Sequence, residues 1–425
     1  MDKRNLKWTG AALASVIALW AGSAAADDIR FMCAADGNEC ATLEALFARY
    51  EKDNPGTHVV IDVVGYKAIL ENLPVQLAGG TGPDMALVTD FGGLAKYFLD
   101  LTPYVDANYW NTNFGNTLRW SRTGPDDKGI YGMNIQLTIT GAYINKTLFE
   151  QAGVAVPGEK ATWDEWAEAS RQVAKATGVP FPMAMDRSGH RIAGPAISNG
   201  AKIFDDAGNP ILVDAPFADF MGKFVNWNKD GTMAKDVWAG IGGTSYQDAA
   251  QEFINAQLVF YYSGSWQVQR LDKAIGDSFD WEVVGSPCGP AACSGMPGGS
   301  GLVGFKQTKN PEAVAKLINY IAQKDNYAEF IGKTRNVPAH EGVAKEGVAY
   351  TDASQNVAKA LKGWNAQIAK LSPIAYSYQG YKNSRTMYNI TVQRVTQAIV
   401  GEMSIDEAME KAKQDVEAAI QSAGK

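Results

Sequence analysis

Leu43, Leu46, Phe47 and Tyr50 fall at i, i+3, i+4 and i+7, the spacing of one buried helix face. Asn54-Pro55-Gly56 stops that helix, because Pro has no amide hydrogen to continue it and Gly favours a turn. The short apolar run Ile29 to Cys33 ahead of it reads as a strand. Beyond it, Val59 to Val64 reads as a second strand, Ile69 to Leu77 as a helix, Gly79 to Pro83 as a turn and Met85 to Val88 as a buried strand. Strand and helix in alternation predict an α/β fold with a parallel sheet. The pattern returns with new content: Gly141 to Ile144, Leu258 to Tyr262 and Trp281 to Gly285 read as strands and Trp163 to Ala176 as a helix, so a second α/β lobe is expected. Asn310-Pro311-Glu312 starts a helix with a stripe of Val314, Leu317, Ile318 and Ile321, and Ser404 to Ala423 reads as a closing amphipathic helix. No internal repeat of about 20 to 50 residues and no low-complexity tract interrupts this order.

The first residues have a different character. Lys3, Arg4 and Lys7 precede an apolar core from Ala11 to Trp20, and Ala24-Ala25-Ala26 offers a small-residue cleavage site. This is the pattern of a secretory signal peptide, residues 1–26, with the mature chain beginning at Asp27. Its core is about half of the ~20 apolar residues that span a bilayer, and no later run matches it, so a soluble exported protein is expected. Four cysteines in two local pairs, Cys33 with Cys40 and Cys288 with Cys293, agree with an oxidising compartment and two short-loop disulfides. Six and four intervening residues with no His nearby argue against zinc. A lipid-modified Cys33 is disfavoured by the charge at Arg30 just before it.

The chain has 425 residues, 46% hydrophobic and 20% charged, which excludes a disordered tail protein. Loss of the leader removes three bases and one acid and takes the net charge from −7 to −9. With its bases scattered, the chain carries no electrostatic footprint for nucleic acid. Hydrolytic signatures are missing too. His58, His190 and His340 lie far apart, with no G-x-S-x-G and no H-E-x-x-H. Gly79-Gly80-Thr81-Gly82-Pro83 lacks the lysine of a phosphate-binding loop and reads as a turn. A pair of glycosidase carboxylates, which usually comes from distant parts of a chain, stays open.

Several segments in order resemble the extracellular solute-binding proteins of ABC importers, in the carbohydrate-binding family that includes the maltose-binding proteins. They run from Asn54-Pro55-Gly56 and Gly79-Gly80-Thr81-Gly82-Pro83-Asp84 through Asp100-Leu101-Thr102-Pro103-Tyr104 and Gly129-Ile130-Tyr131-Gly132-Met133. The series continues with Tyr143 to Phe149, Thr162-Trp163-Asp164-Glu165, Ser263-Gly264-Ser265-Trp266, Pro297-Gly298-Gly299-Ser300-Gly301 and Asn336-Val337-Pro338-Ala339. The resemblance covers nearly all of the mature chain. It implies a two-lobe α/β periplasmic-binding-protein fold with a central ligand cleft and a hinge. The first lobe would comprise residues 27–137 with a return segment at 290–335, and the second 138–289 with the C-terminal helices at 336–425. Such a protein is a monomer that captures a sugar by lobe closure and passes it to a membrane permease, with no cofactor, no metal and no chemistry of its own.

A sugar cleft needs an aromatic platform for the C–H face of the ring and fixed polar groups for the hydroxyls. By position in the family pattern, Trp266 is the platform and Asp90 and Asp36 are hydroxyl-binding acids, with Thr89 and Phe91 flanking Asp90. Gln136 and Thr138 lie on the first crossing, where a relative carries an acid and this chain has none. Gly298, Gly299 and Ser300 would bring backbone N–H groups close to the ligand, and Arg335 would clamp hydroxyls with its planar fork. Asp186, Arg187 and His190 form a polar loop in the second lobe with a weaker claim. Met387 stands where a maltose-type site expects an aromatic, which points to a mono- or disaccharide or small glycoside. The alternatives are a polyol, a sulfonated or phosphorylated sugar or an osmolyte on the same fold, and, further off, a secreted glycoside-active enzyme.

Overall fold

The computed structural model describes residues 27–34, 37–124 and 126–423; the leader, residues 1–26, and Asp36 lie outside the described residues. Among these, eight strands are built in chain order: β1 (Asp27–Cys33), β2 (Thr57–Val63), β3 (Met85–Val88), β4 (Met133–Asn145), β5 (Phe181–Met185), β6 (Leu258–Gly264), β7 (Trp281–Gly285) and β8 (Pro297–Gly304). In the first lobe β1 pairs in parallel with β2 and β3, and β8 runs antiparallel between β3 and β4. In the second, β4 runs antiparallel to both β6 and β7, and β6 pairs in parallel with β5. β4 therefore belongs to both sheets. It pairs with β8 as far as Ile139 and with β6 from Thr140.

The first lobe buries its sheet between two helix layers. Leu43 and Phe47 of helix Glu39–Asp53 pack with Leu317 of Pro311–Ala322 and Phe330 of Lys324–Thr334 on one side. Ile69, Leu73 and Leu77 of helix Tyr66–Ala78 cover Ala86 and Val88 on the other. In the second lobe the core is aromatic. Trp163 and Trp166 of helix Trp163–Thr177 meet Phe260 at centroid distances of 6.1 and 5.1 Å. On the opposite face Tyr143 of β4 meets Trp281 at 5.7 Å and Trp364 at 5.4 Å, largely edge to face. The Trp364 Nε1–H donates to the Tyr143 hydroxyl at 3.2 Å, and that hydroxyl donates to the Gly264 carbonyl at 2.8 Å. Both cysteine pairs are bridged, Cys33–Cys40 joining the end of β1 to the first turn of helix Glu39–Asp53 and Cys288–Cys293 after β7.

Two segments differ from their sequence reading. β4 begins at Met133, eight residues before the expected Gly141, because both faces of the strand are buried and no polar alternation marks it. The polar residues that interrupt the apolar pattern bond internally: Gln136 Oε1 accepts from Asn336 Nδ2 at 2.6 Å. Gly298-Gly299-Ser300, for which the sequence pattern predicts no strand, lies in the body of β8. A Cβ at Gly299 would lie 2.1 Å from the Gln136 carbonyl oxygen, and its φ of +147° suits glycine. These glycines let β8 lie flush against β4.

Trp364 is fully buried and ties helix Gln355–Ile368 to β4. Trp364→Ala is expected to lower unfolding free energy by about 3–5 kcal/mol; a loss under about 1 kcal/mol in urea denaturation would contradict this packing.

Candidate functional site

A cavity of about 470 Å³ opens between the lobes, within the size range of small-molecule sites. Its first wall comes from the start of helix Tyr66–Ala78, the end of β3 and the glycines of β8. Asp90 follows β3 directly, and its Oδ1 accepts the Gly93 N–H at 3.2 Å, capping the short turn Phe91–Leu94. Burial pushes the Asp90 carboxyl above its ordinary pKa, and the charge of Arg385 across the cleft holds part of that rise back. Tyr66 and Thr89 share a hydroxyl hydrogen bond at 2.9 Å beside it. At the rim the lobes touch. A Cβ on Gly92 would lie 2.7 Å from Lys382 Cα, so only glycine allows this approach.

The second wall follows the ends of β5 and β6 and the first turns of helix Ser384–Val400. Arg187 is buried and spent on structure: it donates to the carbonyls of Trp238 (3.0 Å), Ser245 (2.6 Å) and Gly243 (2.7 Å), pinning the loop that carries Tyr246. The Arg191 guanidinium lies 4.1 Å from the Trp266 ring centroid and 5.8 Å from that of Tyr246, a cation–π arrangement. Its Nη1 donates to His190 Nδ1 at 2.8 Å, while Nε sits 3.7 Å from Asp186 Oδ2, beyond hydrogen-bond reach. Asp186 accepts instead from Ser263 (2.6 Å) and Tyr246 (2.9 Å); burial pushes its pKa up to about 6, against the pull of Arg191. His190 Nε2 faces the Pro297 carbonyl at 3.0 Å, so its proton sits there and Nδ1 accepts from Arg191. Burial, then the neighbouring Arg191 charge, pushes its pKa down to about 3. Trp266 reaches the cavity because Gly264 has no side chain: a Cβ there would lie 2.0 Å from the indole.

Of the residues singled out in the sequence, Asp90, Gln136, Thr138, Trp266, Gly298, Gly299 and Ser300 line this one cavity, with Thr89, Arg187 and His190. Phe91 turns inward, stacking 5.7 Å from Trp120 in the core. Arg335 is drawn elsewhere: it ends helix Lys324–Thr334 in a left-handed conformation and its Nε donates to the Thr351 carbonyl at 3.0 Å. Asp186 stands behind the wall, fully buried. Met387 is core, and Tyr388 one position later presents the aromatic ring to the cavity. The inference of a smaller ligand from Met387 therefore loses its basis. Sequence reasoning missed Arg191, Arg385, Tyr388, Tyr66 and Tyr246. A usable signal existed for Arg191, since the polar run Asp186 to Arg191 directly follows a strand, where α/β folds bind ligands. Among the described residues no cluster of His, Cys, Asp or Glu could hold a metal, and no helix is long and apolar enough to cross a membrane.

Known proteins share the family and the fold. Residues 34–328 match the family described as bacterial extracellular solute-binding protein. A binding protein of Brucella abortus is 24% identical, over 80% of this chain and 83% of its own. The multiple sugar-binding protein of Streptococcus mutans is 23% identical, over 66% and 68%. The ABC substrate-binding protein of Listeria monocytogenes solved with cycloalternan superposes with a TM-score of 0.77 at 18% identity, covering 93% of this chain and 99% of that one.

The unfolded chain binds the His190 proton near pH 6.5 and the folded chain only near 3, so this residue makes stability fall as pH drops through that interval. Ring-nitrogen NMR is expected to find His190 neutral, with its proton on Nε2, at pH 5; a midpoint near 6.5 would refute the placement.

Proposed function

Because the chain belongs to the bacterial extracellular solute-binding protein family, we propose that it is the periplasmic receptor of an ABC importer, capturing a saccharide between its lobes for delivery to a membrane permease. The observation that carries this reading is the shared cavity: Tyr66 and Asp90 approach from one side and Arg191, Trp266 and Tyr388 from the other. A ligand touching both walls favours the closed state by its differential contacts, and closure is the shape a permease can read. Aromatic rings beside carboxylate, guanidinium and hydroxyl groups suit a polyhydroxylated ring. The sugar-binding relative from Streptococcus mutans and the cycloalternan complex support the same class. With Trp266 and Tyr388 both in the cavity wall, ligands of one ring or of several fit this reading.

Export to the periplasm rests on the leader motif of residues 1–26 and is consistent with both disulfides. We keep the lobe bounds 27–137 and 138–289 and extend the return segment from 290–335 to 290–346. The last crossing is taken to follow Glu346, since helix Glu341–Glu346 packs on Lys324–Thr334 and Ala107–Leu118, whereas Gln355–Ile368 packs on β7. We read the protein as a monomer that binds and does no chemistry.

A thermal-shift screen of residues 27–425 against sugars, glycosides, polyols and amino acids tests the reading. At 100 times Kd a ligand adds ~2.7 kcal/mol, which raises the melt by several degrees. A saccharide that shifts the melt and is recovered intact is the expected result. A shift by amino acids alone would refute the ligand class, and consumption of a glycoside would refute pure binding. Trp266→Ala is expected to weaken saccharide binding by about 2 kcal/mol or more in calorimetric titration. Affinity within a factor of two of the parent would remove Trp266 from the site.

A further inference from the structure

The charges of the cavity do not balance in the way a neutral sugar would ask. The walls carry Lys67, Arg187, Arg191 and Arg385 against Glu71 and Asp90. Lys67 and Glu71 pair with each other at 3.7 Å along their own helix. Asp186, behind the wall, is a further carboxylate near Arg191; Ser263 and Tyr246 already donate to its Oδ2 and the Ala249 N–H to its Oδ1, and the nearby Asp248 is paired with Arg270. Three guanidiniums thus face two carboxylates. This excess of positive charge sits in a protein whose overall charge is −7, so it is local and is not a reflection of composition.

Some donors are also unspent. Arg191 Nη1 is taken by His190 and the Arg385 guanidinium meets the Tyr66 hydroxyl, but Arg191 Nε and Arg385 Nε are buried without a hydrogen-bond partner, as is the hydroxyl of Tyr388, a side chain 5% exposed. Among the described residues no ion pair within 4 Å joins Arg385 to Asp90, although each feels the other's charge. Arg191 and Arg385 act on the same two rings, His190 and Tyr388, which places their charges on adjacent parts of one wall. Arg191 is held over the Trp266 ring, 4.1 Å from its centroid. Buried N–H and O–H groups without partners cost free energy that a ligand can return, and beside two guanidinium charges an anion returns it most fully.

We propose that the cleft takes an anionic saccharide, its acid group seated between Arg191 and Arg385 beside the Tyr388 hydroxyl, with Asp90 and Trp266 holding the neutral hydroxyls and ring face. This rests on the reading of the protein as a saccharide receptor. A carboxylate, as in a uronic acid, and a sulfate ester offer the same acceptor chemistry, and the measurement separates them.

Calorimetric titration of residues 27–425 with galacturonate, glucuronate, digalacturonate and glucose 6-sulfate, beside galactose, glucose and lactose, tests the proposal. An acidic sugar is expected to bind about tenfold or more tighter than its neutral parent. A uronate advantage assigns the carboxylate, and a 6-sulfate advantage the sulfate; either upholds the proposal. Arg385→Gln is expected to abolish the advantage and Arg385→Lys to keep part of it. Neutral sugars binding as tightly as acidic ones overturn the proposal and leave the saccharide receptor standing. Binding by no saccharide, acidic or neutral, overturns the receptor reading and this inference together.

Discussion

One buried strand has to serve two sheets, and the rest of the molecule is arranged around that constraint. β4 spends its first half against β8 and its second against β6 and β7, so every backbone group along 13 residues needs a partner from one lobe or the other. The glycines of β8 follow from this, because side chains at 299 or 298 would strike Gln136 or Thr138. So does the aromatic packing at Tyr143, which locks the second half of the strand to helix Gln355–Ile368. A strand held in this way is a rigid connection between the two lobes that flank the cavity.

The site grows out of the same arrangement. β3, β5, β6 and β8 all deliver chain to one cleft, and the residues just after their ends are polar or aromatic: Asp90 after β3, Asp186 to Arg191 after β5, Trp266 after β6. Arg187 and Arg191 differ by four positions yet do opposite work. Arg187 gives its N–H groups to backbone carbonyls and holds a loop in place. Arg191 lies on an indole with an N–H left over. His190 links the walls, since its two ring nitrogens bridge Arg191 and the start of β8. Its burial keeps it neutral, and that leaves Nδ1 free to accept from the guanidinium.

Much of this was legible in the chain. Helices with one apolar face, such as Glu39–Asp53 and Trp163–Thr177, were readable because their other face meets water. Ser404 and Glu407 form the reciprocal cap that a helix start at Ser404 implies. The pattern shows only the end of β4 and gives no sign that Gly298 to Ser300 lie in a strand, for one reason: strands buried on both faces lose alternation, and a glycine strand has no pattern to read. The site divided along similar lines. Asp90 and Trp266 follow strands, a position the sequence marks, and both line the cavity. Arg385 and Tyr388 sit on a helix whose cavity-facing side looks like any mixed helix, and only the packing of Met387 into the core sets which face is turned to the ligand. Arg335 was misplaced because a donor fork next to a loop carries no information about which carbonyl will claim it.

Hydrogen–deuterium exchange with and without a bound saccharide tests most directly whether the two lobes share one site. The account predicts slowed exchange at residues 66–71, 89–93 and 298–300 together with 188–191, 264–268 and 385–389. Slowing confined to one lobe, or falling outside these segments, would contradict capture between the walls described.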